Sequence, residues 1–160
     1  MRLMTIFLVG LVSVLARTAF ADDAEKFVGT WTLVAIESRD KSGNWVPAND
    51  SVGFDPIGYI SYDAYGNMSV QIMKRNRPKF GTNDVQEVAP EEVKAAFLAY
   101  AAYFGTYKVD DVERSVTHHR IGHRFPDEVG TVVKRHYIFD GDTVTLMPSS
   151  ERRLRWKRKN

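Results

Sequence analysis

Phe27-Val28-Gly29-Thr30-Trp31-Thr32-Leu33 is the stretch that decides the fold. A Gly-x-Trp opens an alternating run that keeps Trp31, Leu33 and Ala35 on one side as far as Ser38. This is the opening expected of the first strand in a small closed β-barrel. A barrel of about eight strands is either packed solid or holds one small ligand. Gly29 and Trp31 are therefore read as structural, with Trp31 a large core side chain near one end of the barrel.

Upstream of that strand, residues 1–21 have the layout of a cleavable signal peptide. Arg2 gives a positive start, Leu3 to Ala16 is apolar apart from Thr5, Gly10 and Ser13, and Ala19-Phe20-Ala21 supplies the small residues of a cleavage site. The apolar run is shorter than the ~20 residues of a spanning helix. No Cys follows it for lipid attachment. A cleaved signal is preferred to an uncleaved anchor, so the expectation is a secreted, periplasmic protein without a stable membrane anchor. Residues 22–160 then form one barrel domain. Cleavage would remove Arg2 and Arg17 and no acid, which takes the formal charge from +2 to 0. The chain has no Cys, so disulfides contribute nothing to its stability. Arg152, Arg153, Arg155, Lys157, Arg158 and Lys159 crowd the C-terminus. A like-charge block of this kind reads as a solvated last strand and tail rather than a nucleic-acid surface.

Downstream, strands are expected at 57–62 and 68–73, flanking the turn at Asp63-Ala64-Tyr65-Gly66-Asn67. Further strands are expected at 105–109, 115–123, 131–139, 143–147 and 152–157. Asp140-Gly141-Asp142 between alternating apolar residues is a strong hairpin signal. Residues 40–50 read as a loop. One helix is expected from Pro90 to about Phe104. Pro90 suits its first position, and Glu91 and Glu92 suit the positive end of its dipole. Val93, Phe97, Tyr100 and Phe104 would form a stripe closing a barrel end. The class is all-β: an eight-stranded antiparallel up-and-down barrel with one capping helix.

The Asp-Gly hairpin also sets parity. It pairs the apolar face of Val144 and Leu146 with Val133, Arg135, Tyr137 and Phe139. Arg135 and Tyr137 are thereby expected inside, where an Arg needs a partner or a polar ligand. Two readings of Arg135 stay open: a ligand contact, or a structural cation over the Trp31 ring. Arg155 is a second candidate for that structural task. His118 and His119 are adjacent, so one of them faces in. His123 shares the face of His119, and His136 faces outward. With no Cys and no converging His set, no metal is expected. A lone axial His would be the one route to haem; no cofactor is called for. The tyrosines Tyr59, Tyr62, Tyr100, Tyr103 and Tyr107 suit either a pocket for an amphipathic ligand or ordinary packing. The candidate ligand contacts are Tyr59, Gln71, Phe104, Tyr107, His118, His119, Arg135 and Tyr137. If the barrel is an enzyme, His118, His119 and Arg135 are the catalytic candidates.

Four stretches carry a family resemblance. They are Phe27 to Val34; Gly58-Tyr59-Ile60-Ser61-Tyr62 with Gly66 to Met73; Tyr103-Phe104-Gly105-Thr106-Tyr107; and Val116-Thr117-His118-His119 through Phe125-Pro126 to Thr131. The Phe139-Asp140-Gly141-Asp142 turn fits as well. Together they resemble the lipocalin-like domain family of the calycin group. The resemblance implies an eight-stranded calycin-like barrel with a helix at one end. Some relatives are suspected of cyclising or isomerising a biosynthetic product. The chain departs from the family at Asp127-Glu128, where members often carry Asn-Trp, and at Arg120 and His123, where apolar or small residues are usual.

The function expected from the residues is binding of a small apolar or amphipathic molecule in the barrel. A cofactor-free isomerase or cyclase with a histidine acid–base is one alternative. A solid barrel with a structural or interaction role is another. The partner expected is the small ligand, with no nucleic acid, and the residues do not specify an oligomeric state.

Overall fold

The computed structural model describes residues 22–159. The signal-peptide reading of residues 1–21 lies outside the described residues. The chain begins with a short helix α1 (Asp23–Phe27), in which the Asp22 side chain accepts the Ala24 amide at 3.0 Å as N-cap. Strands β1 (Gly29–Arg39), β2 (Trp45–Pro47), β3 (Pro56–Tyr62) and β4 (Asn67–Lys74) follow. Helix α2 (Pro90–Leu98) then leads into β5 (Tyr100–Asp110), β6 (Ser115–His123), β7 (Val132–Asp140), β8 (Thr143–Ser149) and β9 (Arg152–Arg158).

The strands form one antiparallel sheet in the order β2-β1-β3-β4-β5-β6-β7-β8-β9, and β1 also pairs with β9. That pairing closes eight strands into a barrel and leaves β2 as a three-residue edge on β1. Each of the eight expected strands is present. The alternation that predicted them is visible in β4, where Met68, Val70 and Ile72 are buried and Ser69, Gln71 and Met73 face out.

Two boundaries differ from expectation. The 40–50 segment contains β2, whose Trp45 ring lies between the guanidiniums of Arg39 (4.3 Å) and Arg153 (4.4 Å). Helix α2 starts at Pro90 as expected but ends at Leu98, and Tyr100 and Phe104 belong to β5. The residues from Tyr100 pair with β4, from Met73↔Tyr100 to Asn67↔Thr106. Aromatic spacing there imitates a helical stripe, but the ladder partner and the strand preference of Tyr and Phe prevail. The stripe is corrected accordingly: α2 buries no side chain fully, and Phe97 rests on Phe125 beneath Arg124.

One end of the barrel is sealed by α1. Phe27 has no exposed surface and meets Tyr62, Tyr137 and Phe139 edge-on, with ring centroids 5.0–5.1 Å apart. Trp31 Nε1 donates to the Phe27 carbonyl at 2.9 Å. The cation over the Trp31 ring is Arg158, at 4.2 Å. Arg135 and Arg155, the two residues considered for that position, are elsewhere. Arg155 donates to Glu37 at 2.9 Å, a carboxylate it shares with Arg153. Arg158 also donates to the Lys26 and Val28 carbonyls. Gly29 sits at φ +131°, and a Cβ there would lie 2.9 Å from the Arg158 guanidinium. The rest of the basic C-terminus is largely neutralised, with Arg152 on Asp50 and Lys157 on Asp142. No helix among the described residues is long and apolar enough to cross a membrane.

Candidate functional site

Further along the interior, and joined to the α1 end through Tyr62, lies a polar cluster. Parity along β7 turns Arg135 and Tyr137 inward, as the hairpin register Tyr137↔Leu146 and Phe139↔Val144 requires. Along β6 it is His118 that faces in, with 0% exposure, while His119 is exposed on the outer wall. Arg120 shares the inner face with His118, since its partner across the ladder is Gly105, two residues from the inward Tyr107.

A bulge then changes the parity of β6. Ile121 has no partner on β5, because the register steps from Gly105↔Arg120 to Phe104↔Gly122 and Tyr103↔His123. Gly105 makes the step possible: a Cβ there would come within 1.8 Å of the His119 carbonyl oxygen. The bulge places His123 opposite the inward Tyr103, with the two rings stacked at 5.7 Å. The expectation that His123 shares the outer face of His119 is corrected.

His118 lies between two tyrosines. Tyr103 Oη is 2.9 Å from its Nδ1, and Tyr62 Oη is 2.9 Å from its Nε2. Arg135 Nη1 is 3.4 Å from the same Nδ1. A guanidinium only donates, so Nδ1 is the acceptor. The Tyr103 hydroxyl therefore donates to Nδ1, and the proton on Nε2 is donated to Tyr62. Burial first, then the charges of Arg135 and Arg120, hold the His118 pKa well below its ordinary value, so the ring is neutral. Burial likewise raises the hydroxyl pKa values of Tyr62 and Tyr103. Both remain phenols.

Two guanidiniums flank the Tyr103 ring, Arg120 and Arg135, each 5.9 Å from its centroid. Their situations differ. Arg120 donates to Thr131 Oγ1 at 2.8 Å and pairs with Glu128. Arg135 has no carboxylate partner among the described residues. A hollow of about 390 Å³ on the outer wall behind this group is lined mainly by Gln71, Tyr100, Ala102, Phe104, Gly122 and Arg124, and neither Arg135 nor His118 lines it. No three His, Asp or Glu side chains converge as a metal site requires among the described residues.

The other expected ligand contacts separate by face. Tyr107 and Tyr137 point inward but belong to the end sealed by α1. Tyr107 donates to the Asp63 carbonyl at 2.8 Å and Tyr137 to Asp23 at 2.7 Å. Tyr59 and Gln71 are outside, opposite each other on β3 and β4, and line an outer hollow of about 530 Å³ with Ile57 and Met73. Phe104 is also outside and 57% exposed. The structure thus brings together His118 and Arg135 from the expected set. It adds Tyr62, Tyr103, Arg120, His123 and Glu128. Alternation from His118 is enough to place Arg120 inside; the bulge that turns His123 inward has no comparable signal.

Among curated proteins, none matches the chain significantly. A crystal structure of a DUF4847 family protein from Bacteroides vulgatus ATCC 8482 resembles it with a TM-score of 0.46 at 13% identity, over 87% of this chain and all of that one. The model of the lipocalin-like domain matches residues 28–159, from the last residue before β1 to the residue after β9. That span takes in every strand of the closed barrel, and the chain belongs to the lipocalin-like domain family.

Proposed function

We propose that the protein binds a small amphipathic molecule in the barrel, with an oxygen-bearing head meeting Arg135 and the Tyr103 hydroxyl. The observation that carries this reading is Arg135, an inward, part-buried guanidinium with no carboxylate partner among the described residues. A charge held partly out of water favours a polar group that meets it.

The isomerase or cyclase reading receives less support. Both nitrogens of His118 are engaged by tyrosines, and the residue has no exposed surface. The group left open to a ligand is Tyr103, which His118 orients. The reading also takes the protein to be exported, on the signal-peptide layout of residues 1–21. A periplasmic extract whose mature chain starts at Asp22 by mass spectrometry would support export, and a full-length chain confined to the cytosol would overturn it.

Fluorescence titration with anilinonaphthalene sulfonate and its uncharged parent N-phenylnaphthylamine tests the site. Saturable binding of the sulfonate, weakened in Arg135→Met, is the expected result. Binding of neither probe ends the proposal.

A further inference from the structure

Outside the barrel, helix α2 and the chain that follows β4 enclose a gap of their own. Glu92, Ala95, Ala96 and the C-cap Ala99 stand at i, i+3, i+4 and i+7, so they share one side of the helix. Arg77, Pro78 and Phe80 face that side, and three methyl groups do not fill the space between. A hollow of about 210 Å³ remains, lined by these seven residues and Lys74. No member of the polar cluster inside the barrel lines it. Arg77 is the unsettled group in its wall. Nη2 donates to the Ala96 carbonyl at 3.1 Å, and the guanidinium lies 5.8 Å from the Tyr100 ring. Nε is buried with no hydrogen-bond partner among the described residues. A shielded donor without an acceptor is a cost to the fold. Arg77, Lys74 and Glu92 form no ion pair among the described residues. Two cations against one carboxylate leave the hollow with an excess of positive charge.

We propose that this hollow is a second site, separate from the barrel interior, for a small monocarboxylic acid with a compact apolar body. The carboxylate meets the Arg77 guanidinium, and the body lies against Pro78, Phe80 and the alanines of α2. A guanidinium suits a carboxylate because its N–H groups form a planar fork. The bond from Nη2 to the Ala96 carbonyl ties that fork to α2 before any ligand arrives. The volume lies below the roughly 300–1,000 Å³ of sites for drug-sized molecules, so the ligand is small. One negative charge balances the excess in the wall, and Glu92 opposes a second. The small residues of α2 are then what keeps the space open, and a larger side chain among them would occupy it.

The test is a proton–nitrogen NMR titration with benzoate and with benzamide, which match in size and differ in charge. Benzoate should give saturable shifts at the Ala95, Ala96 and Ala99 amides, and benzamide should bind about tenfold more weakly or not at all. Arg77→Gln should weaken benzoate by about tenfold, the worth of one charged hydrogen bond. Glu92→Gln should tighten it by about threefold, the scale of one exposed charge contact. Ala95→Leu fills the hollow and should abolish the shifts. Arg124→Gln removes a cation on the Phe97 ring, outside the hollow, and should change nothing. Absence of saturable shifts at α2, equal affinity for benzoate and benzamide, or an equal loss in Arg77→Gln and Arg124→Gln would each overturn the proposal. Should Arg77→Gln fail to fold, Ala95→Leu decides, because it enlarges an exposed helical position. Unchanged benzoate binding in that variant would show that the acid sits elsewhere.

Discussion

Two regions of the barrel interior, joined by Tyr62, use the same kinds of side chain differently. At the α1 end, buried polar groups find their partners within the chain. Tyr137 donates to Asp23, Tyr107 to the Asp63 carbonyl, Trp31 to the Phe27 carbonyl, and Arg158 covers the Trp31 ring. In the polar cluster Tyr103, His118 and Tyr62 satisfy one another, and the Arg135 guanidinium has no carboxylate partner among the described residues. A buried polar group with a local partner stabilises the fold. One without a partner is a standing cost that a ligand can relieve. The α1 region is therefore structural, and the polar cluster has capacity to spare.

The largest effect should come from opening the structural end. Phe27→Ala removes the ring that Tyr62, Tyr137 and Phe139 surround, and should destabilise by about 3–5 kcal/mol, as other large core truncations do. A denaturant midpoint close to wild type would mean that α1 is only an ornament and would erase the contrast between the two regions.

The next effect is at His118. Its folded pKa lies below the ordinary value of about 6.5, because of burial and then Arg135 and Arg120. The unfolded chain therefore takes up the proton first. This contribution to stability is whole above about pH 6.5 and is lost as pH falls below it toward the depressed folded pKa. His118→Phe should abolish that slope in melting temperature. It should also cost about 1–3 kcal/mol at neutral pH, because two tyrosine hydroxyls lose their partner. A wild-type melting temperature that stays flat from pH 7 to pH 5 would contradict a buried neutral imidazole.

Arg135→Met sharpens the comparison from the other side. Stability should be unchanged or slightly higher, since an uncompensated charge is gone, while sulfonate affinity falls by about tenfold, or about 1.4 kcal/mol. Unfolding of this variant would make Arg135 a clamp like Arg158 and the two regions alike. The smallest effect should be at the outer wall. Arg155→Ala leaves Arg153 on Glu37 and should cost less than about 1 kcal/mol by chemical denaturation, less again in high salt.

Much of this architecture is legible in the residues alone. Trp31 after Gly29 announces β1, and Asp140-Gly141-Asp142 pins a register from which the inward placement of Arg135 and Tyr137 follows by counting. What defeats counting is an inserted residue. Ile121 looks like any other β-branched strand residue, yet it shifts His123 to the inner face, and the cause is a glycine on the neighbouring strand. The end of α2 is obscured for a related reason: Tyr100, Tyr103 and Phe104 suit a helical stripe and a strand ladder equally until β4 is beside them. The choice of Arg158 over Arg155 depends on how far β9 runs against β1, a long-range register that no local pattern encodes.

Closure of the barrel joins its first long strand to its last: Trp31 lies opposite Arg158 and Leu33 opposite Trp156. During synthesis β3 can cover one edge of the opening strand early, but the other edge waits for nearly the whole chain to be made. Until then Trp31 lacks its Arg158 neighbour, and contacts between such distant residues are the slow ones to form. Trimming the last strand would do more than shorten the protein. It would leave β1 with a bare edge, and a bare edge recruits the next chain in place of the missing one.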